Sequence, residues 1–145
     1  MFARGLTILE LAAVLMVVGI LSMLAIPTYD NYTSGAKNAA VRNNMKILQG
    51  ALEISSLRRG AYPVDKSEAE TEEGGIFTYL PGAAYPVNPY TAKSTEVQWN
   101  KGVDCTPDNF GQIFVNLNST KDGGVIEGCG KGSELKLELI VGKGK

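Results

Sequence analysis

The sequence predicts an α+β fold in which one long N-terminal α-helix packs on a three- or four-stranded antiparallel sheet. Residues 6–26 form an apolar run, and residues 28–59 repeat apolar side chains at helical spacing. The C-terminal end alternates apolar and charged residues at the period of a strand. The helix is therefore expected to have an apolar first half and an amphipathic second half that lies on the sheet.

The apolar run is long enough to cross a membrane. As a helix, residues 6–26 extend about 31 Å, and a bilayer core is about 30 Å thick. A cleaved secretory signal has a shorter apolar core and a small-residue cleavage site at its end, whereas this run continues into IPTYDNY. Arg4 and the amino terminus are the only positive charges before it, so the start should stay cytoplasmic and the rest be exported.

Glu10 interrupts this run, and a carboxylate there costs about 2.5 kcal/mol or more. One interpretation is that its side chain reaches back toward the membrane surface from near the helix start. The other is that it pairs with a positive charge of another subunit, because a paired buried charge avoids most of that cost.

The residues around Glu10 resemble the class III signal of type IV prepilins. A short charged leader ends at Gly5 and is followed by LTILE (6–10), which places a glutamate at the fifth position after the glycine. Further residues fall where pilins commonly carry the same ones: Gly19, Pro27, Tyr29 and Tyr32. The match covers about the first 35 residues closely. It departs at Leu6, where phenylalanine is usual, and in the order Ile8-Leu9.

The resemblance implies processing and assembly. A membrane prepilin peptidase would cut between Gly5 and Leu6 and then N-methylate the new amine of Leu6. In an assembling filament, Glu10 would neutralise such an amine, so Glu10 and Leu6 form the expected charge pair. Gly19 and Pro27 weaken the helix between them, and related filaments bend or melt there.

The chain is expected to divide into four parts. Residues 1–5 are the leader, 6–27 the transmembrane and filament-core helix, 28–60 the amphipathic helix, and 61–145 the connecting αβ-loop with the sheet. The predicted sheet-facing stripe comprises Val41, Met45, Leu48 and Leu52, widened by Ala40, Ile47, Ala51 and Ile54. Gly60 is expected to end the helix. Strands are predicted near residues 76–80, 95–99, 111–117, 124–127 and 134–141. The acidic run 67–73 is expected to be a solvated loop.

Cys105 and Cys129 are the only cysteines, and the chain has no histidine. A zinc site with two cysteines and no histidine is unusual, so a disulfide is the simpler interpretation, with two unrelated thiols as the alternative. A disulfide requires an oxidising compartment, which agrees with export. It would enclose the strand predicted at 111–117 and the short segment at 124–127, and the strand at 134–141 would follow it.

The sequence carries no enzyme motif, and without histidine the commonest general base is missing. We therefore expect no enzymatic activity, no cofactor and no metal site. Asp104, Asp108 and Asp122 are the alternative, as oxygen ligands for calcium, although their spacing matches no known loop. With a net charge of −1 there is no basic footprint for nucleic acid.

The resemblance implies a major type IV pilin that polymerises into a helical surface filament for adhesion, twitching motility or DNA uptake. Its partners would be other copies of itself, the prepilin peptidase, the assembly platform and its ATPase. The precursor would lie in the inner membrane with a periplasmic domain, before extraction into the surface filament. The alternative is a pseudopilin of a type II secretion system; major pseudopilins carry an aspartate-rich calcium loop and generally lack this disulfide. A third possibility is a membrane-anchored periplasmic enzyme or ligand-binding module.

Overall fold

The computed structural model describes residues 7–63, 65–71, 74–120 and 122–140. Its helices and strands in chain order are α1 (Ile8–Arg59), α2 (Lys66–Ala69), β1 (Val97–Trp99), β2 (Ile113–Leu117), β3 (Gly123–Gly130) and β4 (Ser133–Ile140). The predicted class is confirmed: a long N-terminal helix is followed by a four-stranded sheet in the order β1-β2-β3-β4. The chain forms two compact units, one ending at Gly35 and the other beginning at Ala36.

Helix α1 ends where the sequence predicts. Arg58 and Arg59 occupy its last turn, where positive charge suits the helix dipole. Gly60 follows with a φ of 79°, a conformation that glycine adopts without steric cost, and its N–H donates to the carbonyl oxygen of Ser56 at 2.7 Å. The helix is thereby closed and the chain turns toward the connecting segment.

The core of the second unit lies between α1 and the sheet. The four central residues of the predicted stripe are fully buried: Val41, Met45, Leu48 and Leu52. They pack with buried strand residues that include Ile113, Val115, Ile126 and Leu135. The prediction that Ile54 widens this stripe is wrong. Its side chain is 44% exposed. Two residues beyond Leu52 it lies about 200° further around the helix.

One strand pair departs from the predicted antiparallel sheet. β2–β3 and β3–β4 are antiparallel, but β1 and β2 are parallel, with Val97 opposite Ile113. Parallel neighbours require a crossover connection, which residues 100–112 supply. Alternation along a strand reveals which face is buried but not the direction of the strand, so the sequence alone did not distinguish the two arrangements.

Two predictions for the connecting segment are wrong. The expected strand near residues 76–80 is a 3-10 turn at Ile76–Tyr79, because its backbone bonds close locally: the N–H of Leu80 donates to the carbonyl of Ile76 at 3.1 Å. The acidic run is partly folded, since Lys66–Ala69 is helical and Ala69 is fully buried. Asp65 caps this helix by accepting from the N–H of Glu68 at 2.9 Å.

Replacing Gly128 by alanine is expected to destabilise the second unit by about 1–3 kcal/mol, because buried side chains of α1 lie close against β3 there. A Cβ at Gly128 would lie 2.6 Å from Met45 Sδ and 3.0 Å from Val41 Cγ1. Both side chains are fully buried, so neither can move into solvent. Chemical denaturation of the full-length protein measures the loss. Gly102→Ala is the matched control, because nothing lies within 4 Å of its added Cβ, and equal midpoints for the two variants would contradict the close approach.

Candidate assembly site

The first part of α1 exposes an unusual amount of apolar surface. Every residue from Thr7 to Ile26 is exposed, and its large apolar side chains are between 51% (Val18) and 89% (Ile8) exposed. The segment is also long and apolar enough to cross a membrane. Contiguous apolar surface of this extent marks a membrane or protein interface. A surface of this kind is suited to contact with lipid or with other helices.

Glu10 lies in the first turn of α1 and is held by Thr7. The N–H of Thr7 donates to Glu10 Oε2 at 2.9 Å, and the N–H of Glu10 donates to Thr7 Oγ1 at 3.2 Å. The Thr7 hydroxyl adds a third hydrogen bond to Glu10 Oε2 at 2.8 Å. This reciprocal arrangement is a capping box, which the spacing T-x-x-E encodes and which the sequence interpretation missed. Glu10 therefore orders the helix start and also presents an exposed carboxylate there.

The remaining predicted site residues of the N-terminal segment are distributed as follows. Gly5 and Leu6, the expected cleavage and methylation positions, lie outside the described residues. Gly19 and Pro27 both lie within α1, and nothing stands within 4 Å of a Cβ built at Gly19. That space leaves room for a close helix contact at Gly19. Bending or melting between the two residues stays a prediction.

A second exposed apolar surface lies on the amphipathic half of α1, on the face opposite the sheet. Leu57 is 81% exposed and Ile54 is 44% exposed. Gly50 precedes Ile54 by one turn and has open space above its Cα. The sequence analysis did not predict this surface, and the spacing of these residues by four and three is the signal that could have shown it. Together they offer a helix-sized contact surface on the second unit.

The disulfide lies on the outer face of the sheet. Cys105 and Cys129 are bonded, with their Cα atoms 5.1 Å apart, which confirms the predicted bridge. Phe114 and Cys129 are 4% and 0% exposed but do not belong to the core under α1. Phe114 alternates with the core residues on either side of it, so it points to the opposite face. The crossover that carries Cys105 is thus fixed over this face and shields it from solvent.

Lys136 and Tyr85 of the same unit each contact a glutamate, and both have raised pKa values. The hydrogen bond and charge of Glu127, whose Oε1 lies 2.8 Å from Lys136 Nζ, raise the pKa of Lys136. Burial, followed by the hydrogen bond that its hydroxyl donates to Glu70 at 2.7 Å, raises the pKa of Tyr85. Both groups therefore keep their protons at neutral pH and act as fixed donors in structural contacts.

The three aspartates considered as calcium ligands do not form a cluster. Among the described residues, no group of three or more His, Cys, Asp or Glu side chains is placed to hold a metal ion. Asp104 lies in the crossover, where its carbonyl oxygen accepts from the Asn109 amide at 2.9 Å. Asp122 directly precedes β3, and its carboxylate accepts from the Thr120 hydroxyl at 2.5 Å.

Curated proteins of two kinds are similar to this chain. The type II secretion system core protein G of Klebsiella pneumoniae is 23% identical over 113 residues, which are 77% of this chain and 81% of that protein. The same protein from Klebsiella michiganensis is 28% identical over 127 residues, 83% of this chain and 84% of that protein. The type IV narrow pilus major component PilA5 of Thermus thermophilus is 31% identical over 75 residues, 52% of this chain and 65% of that protein.

No family model matches the chain, and no solved structure matches it. The similar proteins are named as components of a secretion system or of a pilus, not as enzymes. Their names agree with the exposed apolar helix that is the most prominent feature of the described residues.

Proposed function

We propose that this chain, which is similar to both pilus and secretion-system proteins, is the major structural subunit of a type IV pilus. In this proposal it carries out no reaction itself and polymerises into a helical surface filament. The filament would serve adhesion, twitching motility or DNA uptake. The choice of a pilus rests on the disulfide between Cys105 and Cys129, since pseudopilins generally lack such a bridge.

The exposed surfaces of α1 support assembly through helices. A chain that uses two different surfaces of itself makes heterologous contacts, and these give open helical filaments when the rotation does not close. The apolar segment that ends at Ile26 and the surface around Leu57 are two such surfaces on one helix. The apolar segments would form the filament core, and the sheets would lie outside.

Glu10 supplies register in this proposal. Cleavage after Gly5 would create an amine on Leu6, four residues before Glu10. The exposed carboxylate of one subunit would pair with the amine of its neighbour at the same depth, so two costly charges become one hydrogen-bonded pair. The apolar side chains around Glu10 favour no particular axial register between neighbouring helices, whereas this charge pair would fix one register.

The partners follow from this pathway. The prepilin peptidase would remove residues 1–5 and methylate Leu6, and an assembly platform driven by an ATPase would extract the subunit from the inner membrane. Residues 6–27 would anchor it there before assembly, with residues 61–145 in the periplasm. The disulfide agrees with a periplasmic domain, because such bridges persist in oxidising compartments.

A pseudopilin of a type II secretion system is the second candidate. The observation that favours it is the extent of similarity: the two core G proteins match 77% and 83% of this chain, against 52% for the pilus component. A pseudopilin would use the same helix and charge pair but build a short periplasmic filament.

The intact mass of the protein sheared from cells tests the proposal. A processed surface pilin should lack residues 1–5, be two hydrogens lighter for the disulfide, and be one methyl heavier at Leu6. A Gly5→Leu variant is the matched control, and it should stay in the membrane at full length because the peptidase requires the glycine. Processed protein that remains in the envelope would replace the pilus by the pseudopilus, and full-length wild-type protein confined to membranes would overturn both.

A further inference from the structure

We propose that the free edge of β1 binds an extended acidic peptide segment of a different protein. This edge lies in a cleft of about 650 Å³ within the second unit, a volume typical of ligand sites. The consecutive residues from Lys93 to Trp99 line the cleft, and Lys66, Tyr85 and Lys101 complete it. We call this cleft the edge groove. The proposal goes beyond assembly, and it applies equally to a pilus and to a pseudopilus.

β1 has a neighbouring strand on one side only, because it stands at the end of the sheet order β1-β2-β3-β4. Toward β2, the carbonyl oxygen of Glu96 accepts from the N–H of Ile113 at 3.2 Å. Alternate residues of a strand direct their backbone groups to opposite edges, so Val97 and Trp99 direct theirs away from β2. In the described part of the chain, no backbone hydrogen bond reaches Val97 or Trp99 from that side.

These two residues can therefore pair with an incoming strand. Val97 and Trp99 offer two N–H and two C=O groups at the spacing of a β-ladder, and peptides add to exposed sheet edges through such groups. Proteins commonly protect an edge strand by keeping it short or by placing lysines on it. The edge of β1 differs from a merely protected edge because it opens into a cleft.

The residues that complete the edge groove are held in place. The Tyr85 hydroxyl donates to Glu70 at 2.7 Å, and the Tyr85 ring packs edge-to-face on Phe77 with 4.9 Å between the ring centres. Lys66 lies in α2 and pairs with the same glutamate at 3.8 Å. Since these side chains are already ordered, binding would cost little further conformational entropy.

The charge of the edge groove favours an acidic occupant. Three lysines line it and only one carboxylate does, that of Glu96. Among the described residues, neither Lys93 nor Lys101 forms an ion pair. The Nζ of Lys101 donates to Gln98 Oε1 at 2.9 Å, which holds this charge beside β1. The chain as a whole has a net charge of −1, so the excess of positive charge is local and selects for acidic side chains.

A second copy of the chain is the alternative source of an acidic segment, and the structure favours a different protein. Lys66–Ala69 of the acidic segment is already helical, and Glu68 within it lies 4.0 Å from Arg59. Glu70 accepts from Tyr85, so it already helps to build the groove of its own copy. This segment would have to unfold and lose those contacts before it could pair with β1 as a strand.

Fluorescence of Trp99, the only tryptophan and a lining residue of the edge groove, measures peptide binding to the full-length protein in detergent micelles. The probe is a blocked peptide of four threonine-glutamate repeats, which should bind saturably and more weakly as salt is added. The same peptide methylated at every backbone nitrogen should not bind, because it keeps the charge but cannot donate hydrogen bonds to the edge. Amide exchange at Val97 and Trp99 should slow when the unmethylated peptide binds.

The double variant Lys93→Gln/Lys101→Gln should weaken binding of the acidic peptide by about three- to thirtyfold, as expected for the loss of two exposed ion pairs. Lys46→Gln/Lys131→Gln is the matched control. It removes the same charge from exposed positions outside the edge groove and should bind like wild type.

Equal binding of the methylated peptide, or equal loss in both double variants, would overturn the proposal, because the attraction would then be one of charge alone. A Trp99 signal that changes with protein concentration in the absence of peptide would also overturn it and assign the edge to a second copy. So would tighter binding of a sulfated oligosaccharide than of the peptide, with no change in amide exchange at Val97 and Trp99.

Discussion

Replacing Glu10 by leucine is expected to leave the protein in the membrane and to abolish filament assembly. Insertion should be easier, because the carboxylate costs about 2.5 kcal/mol or more in a bilayer. Assembly should fail because the amine of the neighbouring subunit then stays buried without a partner. Breaking such a pair costs about 3–5 kcal/mol, a loss of roughly two to four orders of magnitude at each subunit addition. The yield of sheared filament, normalised to membrane-bound protein, measures it.

The capping box gives Glu10 a second role that this experiment must separate from the first. Thr7 and Glu10 exchange hydrogen bonds of 2.9 Å and 3.2 Å at the start of α1, and loss of the cap alone weakens a helix by about 1 kcal/mol. Glu10→Gln keeps an acceptor that a capping box tolerates but removes the charge. Thr7→Val removes the hydroxyl and keeps the charge.

The charge-pair argument requires that Glu10→Gln fails like Glu10→Leu and that Thr7→Val retains most assembly. Filaments from Glu10→Gln together with none from Thr7→Val would instead assign the role of Glu10 to helix capping. An undiminished yield from Glu10→Leu would remove both explanations.

The sequence predicted those parts of the fold that depend on local periodicity. Helical spacing was enough to predict the buried stripe from Val41 to Leu52, and a glycine was enough to predict that the helix ends at Gly60. Strand β4 was visible from its alternation, and Leu135 is 2% exposed as that alternation requires. The direction of β1 was not visible, because it depends on where the crossover returns and not on any property of the residues in β1.

The candidate site was predicted where one residue is chemically out of place, as Glu10 is in an apolar run. The surface at Leu57 was missed because a single exposed leucine near the end of a helix is common. The contact between α1 and the turn that joins β3 to β4 was missed because it depends on the hydrogen bonds between Asn38 and Lys131. No pattern along the chain records a contact over that separation.

Reducing the disulfide is expected to lower the free energy of unfolding of the second unit by about 3 kcal/mol, as the loop between cysteines 24 residues apart predicts. The bridge also fixes a connection that has little structure of its own, because parallel strands are usually joined through a helix. The crossover has only the short 3-10 turn at Pro107–Asn109. Without the bridge it is held by backbone bonds near Cys129, such as the 2.7 Å bond from the N–H of Gly111 to the Cys129 carbonyl.

Denaturation midpoints of oxidised and reduced full-length protein, with protease cleavage within residues 100–112 as a second readout, measure this effect. The variant Cys105→Ser/Cys129→Ala is the comparison, because Cys129 is fully buried and a serine there would bury an unpaired hydroxyl. If the crosslink itself stabilises the unit, reduced wild type and the double variant lose the same amount. If the midpoint is unchanged on reduction while cleavage appears, the crossover contributes no stability. Phe114 would then owe its burial to contacts other than the crossover.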